Sequence, residues 1–286
     1  MTQTMQSVSA GADLVAPLTF IVPQDTKPAF HSTALTGGAQ KLFFETESIA
    51  VSIADMRPLA GDLSVDREGF ELHRHATAVA DLYDDEAVET RYYPEIEALL
   101  NERFGADRTV VFDATRRADS ETGAHNPDGL RGPAIRAHVD YTVLSGPQRV
   151  ADILGEDEAT RLAASGAHIV QINVWRPISG PVRRSPLAVA DASSVAPAQL
   201  LATDQVFPDR VGEIYLLAHA PTQRWYYAPE MTPDEILLIK GWDSIDDGRA
   251  RFTPHGAFRF AQTPDAAPRE SIEVRALVVI GNAEVG

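Results

Sequence analysis

Residues 137–142 read AHVDYT, which sets His138 and Asp140 on either side of a single valine. On an extended strand, side chains at i and i+2 leave the same face, while the residue between them points the other way. An imidazole and a carboxylate would then enter one space, with Val139 packed behind them. That placement suits a pair of metal ligands, and it suits a polar strand edge equally well. The rest of the chain has to decide.

Downstream of this stretch the sequence is mostly β in character. HIVQINVWRPI (168–178), PLAVAD (186–191), EIYLLAHA (213–220), QRWYYAP (223–229), ILLIKGWDS (236–244), ARFTPHGAFRF (250–260) and SIEVRALVVI (271–280) are rich in β-branched and aromatic residues. Short strands of this kind, punctuated by Pro, Gly and Asp, indicate a sandwich or barrel. Upstream, LTFIVP (18–23) and KLFFETESIAVSIADMRP (41–58) read as strands. RTVVFDATRR (108–117) is a further strand, followed by a polar loop, ADSETGAHNPDGLRG (118–132). Helical periodicity is confined to two regions. Ile96, Leu99, Leu100 and Phe104 fall at i, i+3, i+4 and i+8, with Gly105 as the stop. PQRVADILGEDEATRLAAS (147–165) predicts a second helix. In TPDEI (232–236), Thr232 and Glu235 form a capping box with Pro233 at the first helical position, predicting one helical turn. The expectation is a mainly β fold with flanking helices: a flexible segment over 1–15, then a single domain over 16–286.

Composition narrows the function. The chain has 286 residues, a formal net charge of −16 and no cysteine. Acidity argues against a nucleic-acid partner, because phosphate neutralisation needs a basic face. Without cysteine, disulfides, thiolate metal sites and a cysteine nucleophile are excluded, so any metal must take imidazole and carboxylate ligands. No apolar run approaches the ~18 residues of a membrane span. The first residues lack both a basic stretch and a compact apolar core, so they do not read as a signal peptide. The expectation is a cytoplasmic protein acting on a small molecule, with homo-oligomerisation left open.

Two imidazoles and one carboxylate with open coordination positions form the donor set of non-haem Fe(II) oxygenases. His138 and Asp140 supply two donors. Three histidines could supply the third. His168 starts a strand just after a helix and reads as structural. His219 ends the strand EIYLLAHA and is a rival that sequence leaves open. His255 is flanked by Pro254 and Gly256, which fix the backbone and leave room beside the imidazole. What favours His255 is the strand that follows it. Arg269 and Ser271 open that strand at i and i+2, and a guanidinium fork beside a hydroxyl is a receptor for a carboxylate.

An HxD pair, a distal His and an RxS beyond it, in this order, resemble the Fe(II)/2-oxoglutarate-dependent oxygenases. More narrowly, HVDYT, NVWRPISGPVRRSPLAVAD, RWYYAPEMTPDEILLIKGWDS, RFTPHGAF and PRESIEVRALV resemble the subgroup that includes cephem methoxylase subunits, fungal endoperoxide-forming enzymes and hydroxylase/desaturase proteins of the gibberellin-desaturase type. The resemblance runs from about residue 110 to 280 and implies a double-stranded β-helix, a cupin-like jelly roll, with Fe(2+) at its mouth. By position, it implies His138, Asp140 and His255 as catalytic iron ligands, and Arg269 with Ser271 as the receptor for the distal carboxylate of 2-oxoglutarate. In such enzymes O2 and 2-oxoglutarate are converted to succinate, CO2 and an oxidant that abstracts hydrogen from a substrate carbon.

Other residues carry competing readings. Arg275 shares the parity of Arg269 and is a rival anchor; Ser271 and the spacing favour Arg269. Arg176 reads either as a solvated strand-end arginine or as a second group that reaches the iron mouth to hold cosubstrate or substrate. Arg176, Arg183 and Arg184 together suggest a local basic cluster. Trp225, Tyr226 and Tyr227 read as a strand with alternating faces, one of them able to line a substrate pocket. His73 and His75 mimic a ligand pair by spacing but read as surface residues. The alternatives to an oxygenase are a zinc hydrolase, with the metal activating water, and a barrel that only binds a ligand. A hydrolase has no use for a carboxylate receptor beside the metal, and a barrel that only binds a ligand needs no metal triad.

Overall fold

Alternation along two central strands organises the molecule. The computed structural model describes residues 13–121, 123–126, 129–262 and 265–281. In the strand His168–Pro177, Val170, Ile172 and Val174 point one way; in Glu270–Ile280, Ile272, Val274, Ala276 and Val278 do the same. These residues form one core with Tyr92, Ile96 and Leu100 at the start and along the helix Tyr93–Phe104. That helix ends at Gly105 in the left-handed region (φ 59), as its position in the periodic pattern requires. The opposite faces of the same strands carry Gln171, Asn173 and Trp175, and Ser271, Glu273 and Arg275. Cross-strand pairing of Asn173 with Arg275 and of Trp175 with Glu273 puts them together on one inner wall.

The two strands sit in a five-stranded sheet, ordered Phe70–Arg74, Glu235–Asp243, His168–Pro177, Glu270–Ile280 and Arg108–Ala118. A ten-stranded sheet faces it. Its order is Leu14–Ile21, Thr46–Asp55, Trp225–Tyr227, Leu187–Ala190, His255–Ala257, His138–Val139, Val211–Leu217, Leu200–Val206, Ala29–His31 and Lys41–Leu42. Leu187 and Val189 of the larger sheet meet Trp175, Leu237 and Ile239 of the smaller one, so an apolar layer joins the inner walls. The larger sheet curls until Thr19 bridges Arg136, enclosing a second core of Leu18, Phe20, Trp225, Tyr227 and Phe258 on its other face. Two facing, curled and mostly antiparallel sheets make a jelly roll with helices outside it, the fold class that the residue pattern and the resemblance imply.

Several local expectations are corrected. The first strand starts at Leu14 rather than Leu18, inside the segment expected to be flexible; residues 1–12 lie outside the described residues. The second helix is two, Ser145–Leu154 and Glu156–Ser165, because Gly155 takes φ 89 and ψ 148 and breaks the ladder. TPDEI makes a single hydrogen-bonded turn, the Glu235 N–H donating to the Thr232 carbonyl at 3.0 Å, and no helix. Glu235 does accept from the Thr232 N–H at 3.0 Å, but Glu235 already opens a strand, paired with Arg74, and sheet pairing overrides the local cap. The loop 118–132 contains a small hairpin, Ala124–Asn126 with Gly129–Arg131. The strands expected around His138 and His255 shrink to His138–Val139 and His255–Ala257. Among the described residues no helix is long and apolar enough to cross a membrane.

Candidate active site

His138 and His255 are directly opposite each other on neighbouring antiparallel strands. Gly256 permits this close approach: a Cβ there would lie 3.2 Å from the Arg136 carbonyl oxygen. The two imidazole centroids are 4.5 Å apart, and Asp140 Oδ1 is 3.5 Å from His138 Nε2. One donor atom from each of His138, Asp140 and His255 falls within 4.8 Å of the others. Although Asp140 lies one residue beyond the two-residue strand, it still projects to the same side as His138.

Each donor is oriented from behind. His138 Nδ1 lies 2.8 Å from the Arg136 carbonyl and His255 Nδ1 lies 3.1 Å from the Thr253 carbonyl. A ring N–H bonded to a carbonyl leaves Nε2 as the free lone pair, which faces the cluster. Burial, and then the neighbouring His138, push the His255 pKa down, which keeps it a neutral donor. Asp140 Oδ2 accepts from Asn173 Nδ2 at 2.6 Å and from Arg275 Nε at 2.9 Å, leaving Oδ1 for the shared space. Burial alone would raise the Asp140 pKa; Arg275 and the two imidazoles overcome it and hold the carboxyl well below the usual range. Gln171 Nε2 in turn donates to Asn173 Oδ1 at 2.5 Å, and Gly241 leaves room for the Gln171 side chain, which a Cβ there would strike.

The second part of the site is a guanidinium with two nitrogens left unbonded. Arg269 is 2% exposed, and its Nε and Nη2 find no hydrogen-bond acceptor. Its Cζ stands 5.7 Å from the Trp175 ring. Ser271, two residues on, is also buried. Burial, then the neighbouring Arg117, push the Arg269 pKa down to about 10, so the group stays cationic at neutral pH. A buried cation left unpaired is unfavourable by several kcal/mol. Such a group is explained by an anionic ligand that completes it. Arg275 has no such vacancy. Its three nitrogens bond Asp140, Asp113 and Glu273, and those carboxylates raise its pKa although burial opposes them.

The remaining histidines and arginines lie elsewhere. His219 packs edge-on to Phe20 at 5.1 Å, outside the cluster. His168 bonds Asp243 at 2.8 Å. Arg176 corrects one reading. It is fully buried on the helix-facing side of its strand, bonded to the Tyr92 hydroxyl, the His75 and Pro233 carbonyls and His75 Nδ1. It points away from the His138/Asp140/His255 cluster because it shares parity with Val170, Ile172 and Val174. Arg183 pairs with Glu230 and Arg184 with Asp119. His73 and His75 are half-buried rather than surface residues, held by Glu71 and Arg176. Trp225 and Tyr227 enter the core behind the larger sheet, whereas Tyr226 pairs with Val189 and faces the interior with it. Asn173, Gln171, Asp113 and Glu273 were not foreseen as site residues. For Gln171, Asn173 and Glu273 a signal is present, since polar residues alternate with Val and Ile on the two central strands; Asp113, on the edge strand Arg108–Ala118, has none.

A jelly roll with a His/Asp/His cluster on its inner wall is the framework of a metal-dependent oxygenase. Comparison with known proteins gives the family. The model described as "Oxidoreductase/YMDC permease-like domain" matches residues 18–279. The hydroxylase/desaturase efuI of Hormonema carpetanum is 35% identical over 266 residues, covering 85% of this chain and 87% of the relative. The Fe(II)/2-oxoglutarate-dependent dioxygenase nvfI of Aspergillus novofumigatus is 34% identical over 236 residues, covering 77% of this chain and 82% of the relative. A solved structure of the iron and alpha-ketoglutarate-dependent endoperoxidase NvfI superposes with a TM-score of 0.82 at 30% identity, covering 95% of this chain and 99% of that one. The chain belongs to the Fe(II)/2-oxoglutarate-dependent dioxygenase family of oxidoreductases.

Proposed function

We propose that His138, Asp140 and His255 hold Fe(II), that Arg269 and Ser271 receive the distal carboxylate of 2-oxoglutarate, and that the enzyme oxidises a C–H bond of a small secondary metabolite. The observation that carries this reading is the buried Arg269 fork, which lacks any protein acceptor at Nε and Nη2. The donor set fits a divalent metal with open positions: two imidazoles with their far nitrogens tied to carbonyls, and one carboxylate offering a single free oxygen. When bound, iron and 2-oxoglutarate supply an oxidant from O2, with release of succinate and CO2. The chain's own residues fix the ligand atoms, neutralise the cosubstrate's charge and keep Arg275 committed to Asp140. A hydrolase would need only the metal cluster and would leave Arg269 unused. The curated relatives include a protein of aspirochlorine biosynthesis, 41% identical over 167 residues, which supports a secondary metabolite as the substrate class. The net charge of −16 supports the absence of a nucleic-acid partner.

Purified protein given Fe(II), ascorbate, O2 and 2-oxoglutarate is expected to form succinate slowly without a primary substrate and faster with the correct one. The reading fails if iron-loaded protein neither binds 2-oxoglutarate nor forms succinate in either condition.

Asn173 and Arg275 provide a separate check on how Asp140 is held. Asn173→Ala and Arg275→Leu are expected to weaken metal binding roughly 10- to 100-fold, the usual cost of losing a partner that orients a ligand. Calorimetric titration of the apoprotein with Mn(II) reads this directly. Metal affinity equal to the unsubstituted protein's in both variants would show that Asp140 needs neither group.

A further inference from the structure

On the inner wall of the five-stranded sheet the charges divide unevenly. Arg117, Arg269 and Arg275 face Asp113, Asp140 and Glu273, but all three carboxylates bond the one guanidinium of Arg275. Arg117 is directly paired with Ser271 across neighbouring antiparallel strands, so their side chains leave the same face. Arg269 lies two residues from Ser271 on that face. Arg117 is partly buried and donates to the Gly132 carbonyl at 3.0 Å, and no ion pair to a carboxylate is seen for it among the described residues. Asp119, the other acid nearby, is occupied by Arg184 and Ser185. Two cations are thus left side by side with a hydroxyl between them. The Arg117 pKa is pushed down to about 10, first by burial, with Arg275 and Arg131 adding to it against Glu273. Like charges this close are unfavourable until an anion joins them.

We propose that Arg117 is a second cationic contact for the distal carboxylate of 2-oxoglutarate, sharing it with Arg269 and Ser271. A carboxylate offers about four lone-pair directions, enough for two guanidiniums and one hydroxyl. The distal carboxylate offsets one of the two arginine charges, and a divalent metal offsets the two-charge excess of Asp113, Asp140 and Glu273 over Arg275. The arrangement selects a dicarboxylic 2-oxo acid over a monocarboxylic one, because only the former has an anion at that end. This inference rests on the proposed cosubstrate site.

The test is equilibrium binding of 2-oxoglutarate to iron-loaded protein without O2, followed by calorimetry. Arg117→Leu is expected to raise the Kd about 10- to 100-fold, the size of the loss of one hydrogen bond to a charged group. Arg117→Lys is expected to recover part of the loss, and iron content is expected to stay unchanged. Pyruvate, which lacks the distal carboxylate, is expected to bind the unsubstituted protein and Arg117→Leu equally. A 2-oxoglutarate Kd within about twofold of the original in Arg117→Leu overturns the assignment, as does an equal loss for pyruvate. Circular dichroism confirms that each variant is folded, and Arg117→Lys serves where the Leu variant does not fold. If the unsubstituted protein itself binds no 2-oxoglutarate, the functional reading falls with it; if it binds and Arg117→Leu binds as well, only this inference falls.

Discussion

His255→Ala is expected to purify folded, without iron, and without succinate-forming activity. Losing a partner behind a metal ligand costs roughly 10- to 100-fold in affinity, so losing the ligand itself is expected to cost more than about 100-fold. His255 is 2% exposed and its Nδ1 contacts only a backbone carbonyl, so the Ala variant vacates a small space and leaves one carbonyl unbonded. His219→Ala is the control: its ring packs on Phe20, and iron content is expected to match the original. Asp140→Ala should differ from His255→Ala in kind. It removes a ligand and also leaves the buried Arg275 without one of its three carboxylates, which costs about 3–5 kcal/mol where a buried pair is broken. Asp140→Asn keeps an oxygen for Asn173 and Arg275, so it is expected to lose iron with a smaller loss of stability. Metal analysis and thermal melts of the four variants separate these outcomes. Full iron content in His255→Ala, or iron loss in His219→Ala, would move the third ligand.

Much of this site could be read from the sequence, and the unread part has a physical reason. HVD, PHG and RES each place their side chains by local geometry: i and i+2 on a strand, or a backbone fixed by Pro and freed by Gly. That His255 is the histidine beside His138 depends on which strands pair, and pairing joins residues more than a hundred positions apart that local pattern cannot see. Arg176 was open to correction from sequence. Val170, Ile172 and Val174 mark the face that packs on the helix, and Arg176 continues it. Choosing between Arg269 and Arg275 could not be done by parity, since both face inward. It takes the positions of Asp113, Asp140 and Glu273, three separate chain segments, to show that one arginine is already occupied. The split of the second helix at Gly155 was legible as a glycine inside a helical pattern, but only the backbone shows that the residue adopts φ 89.

Arg269→Leu is expected to weaken 2-oxoglutarate binding by roughly 30- to 4000-fold, from the ~2–5 kcal/mol that accompanies loss of one partner of a buried charge pair. Iron binding should survive, because no residue in contact with the metal cluster changes. The two effects on stability have opposite signs. Without cosubstrate, Arg269 is a buried cation with two unsatisfied nitrogens, so replacing it with a similarly sized apolar group is expected to leave the apoprotein as stable as before or more stable. With cosubstrate, the original protein gains stability from ligand linkage and the variant loses that gain. A melt with and without 2-oxoglutarate therefore distinguishes a receptor from a structural arginine. A structural arginine would lower both melts alike. Arg269→Lys should recover only part of the affinity, because an ammonium cannot form the planar fork. Ser271→Ala should lose less, about the ~1.5–3 kcal/mol of one hydrogen bond to a charged group. Arg275→Leu completes the set, with its loss expected in metal affinity through Asp140 and not in the cosubstrate titration. If Arg275→Leu instead shows the large 2-oxoglutarate loss while Arg269→Leu titrates normally, the anchor is Arg275, and the empty fork at Arg269 needs a different anion.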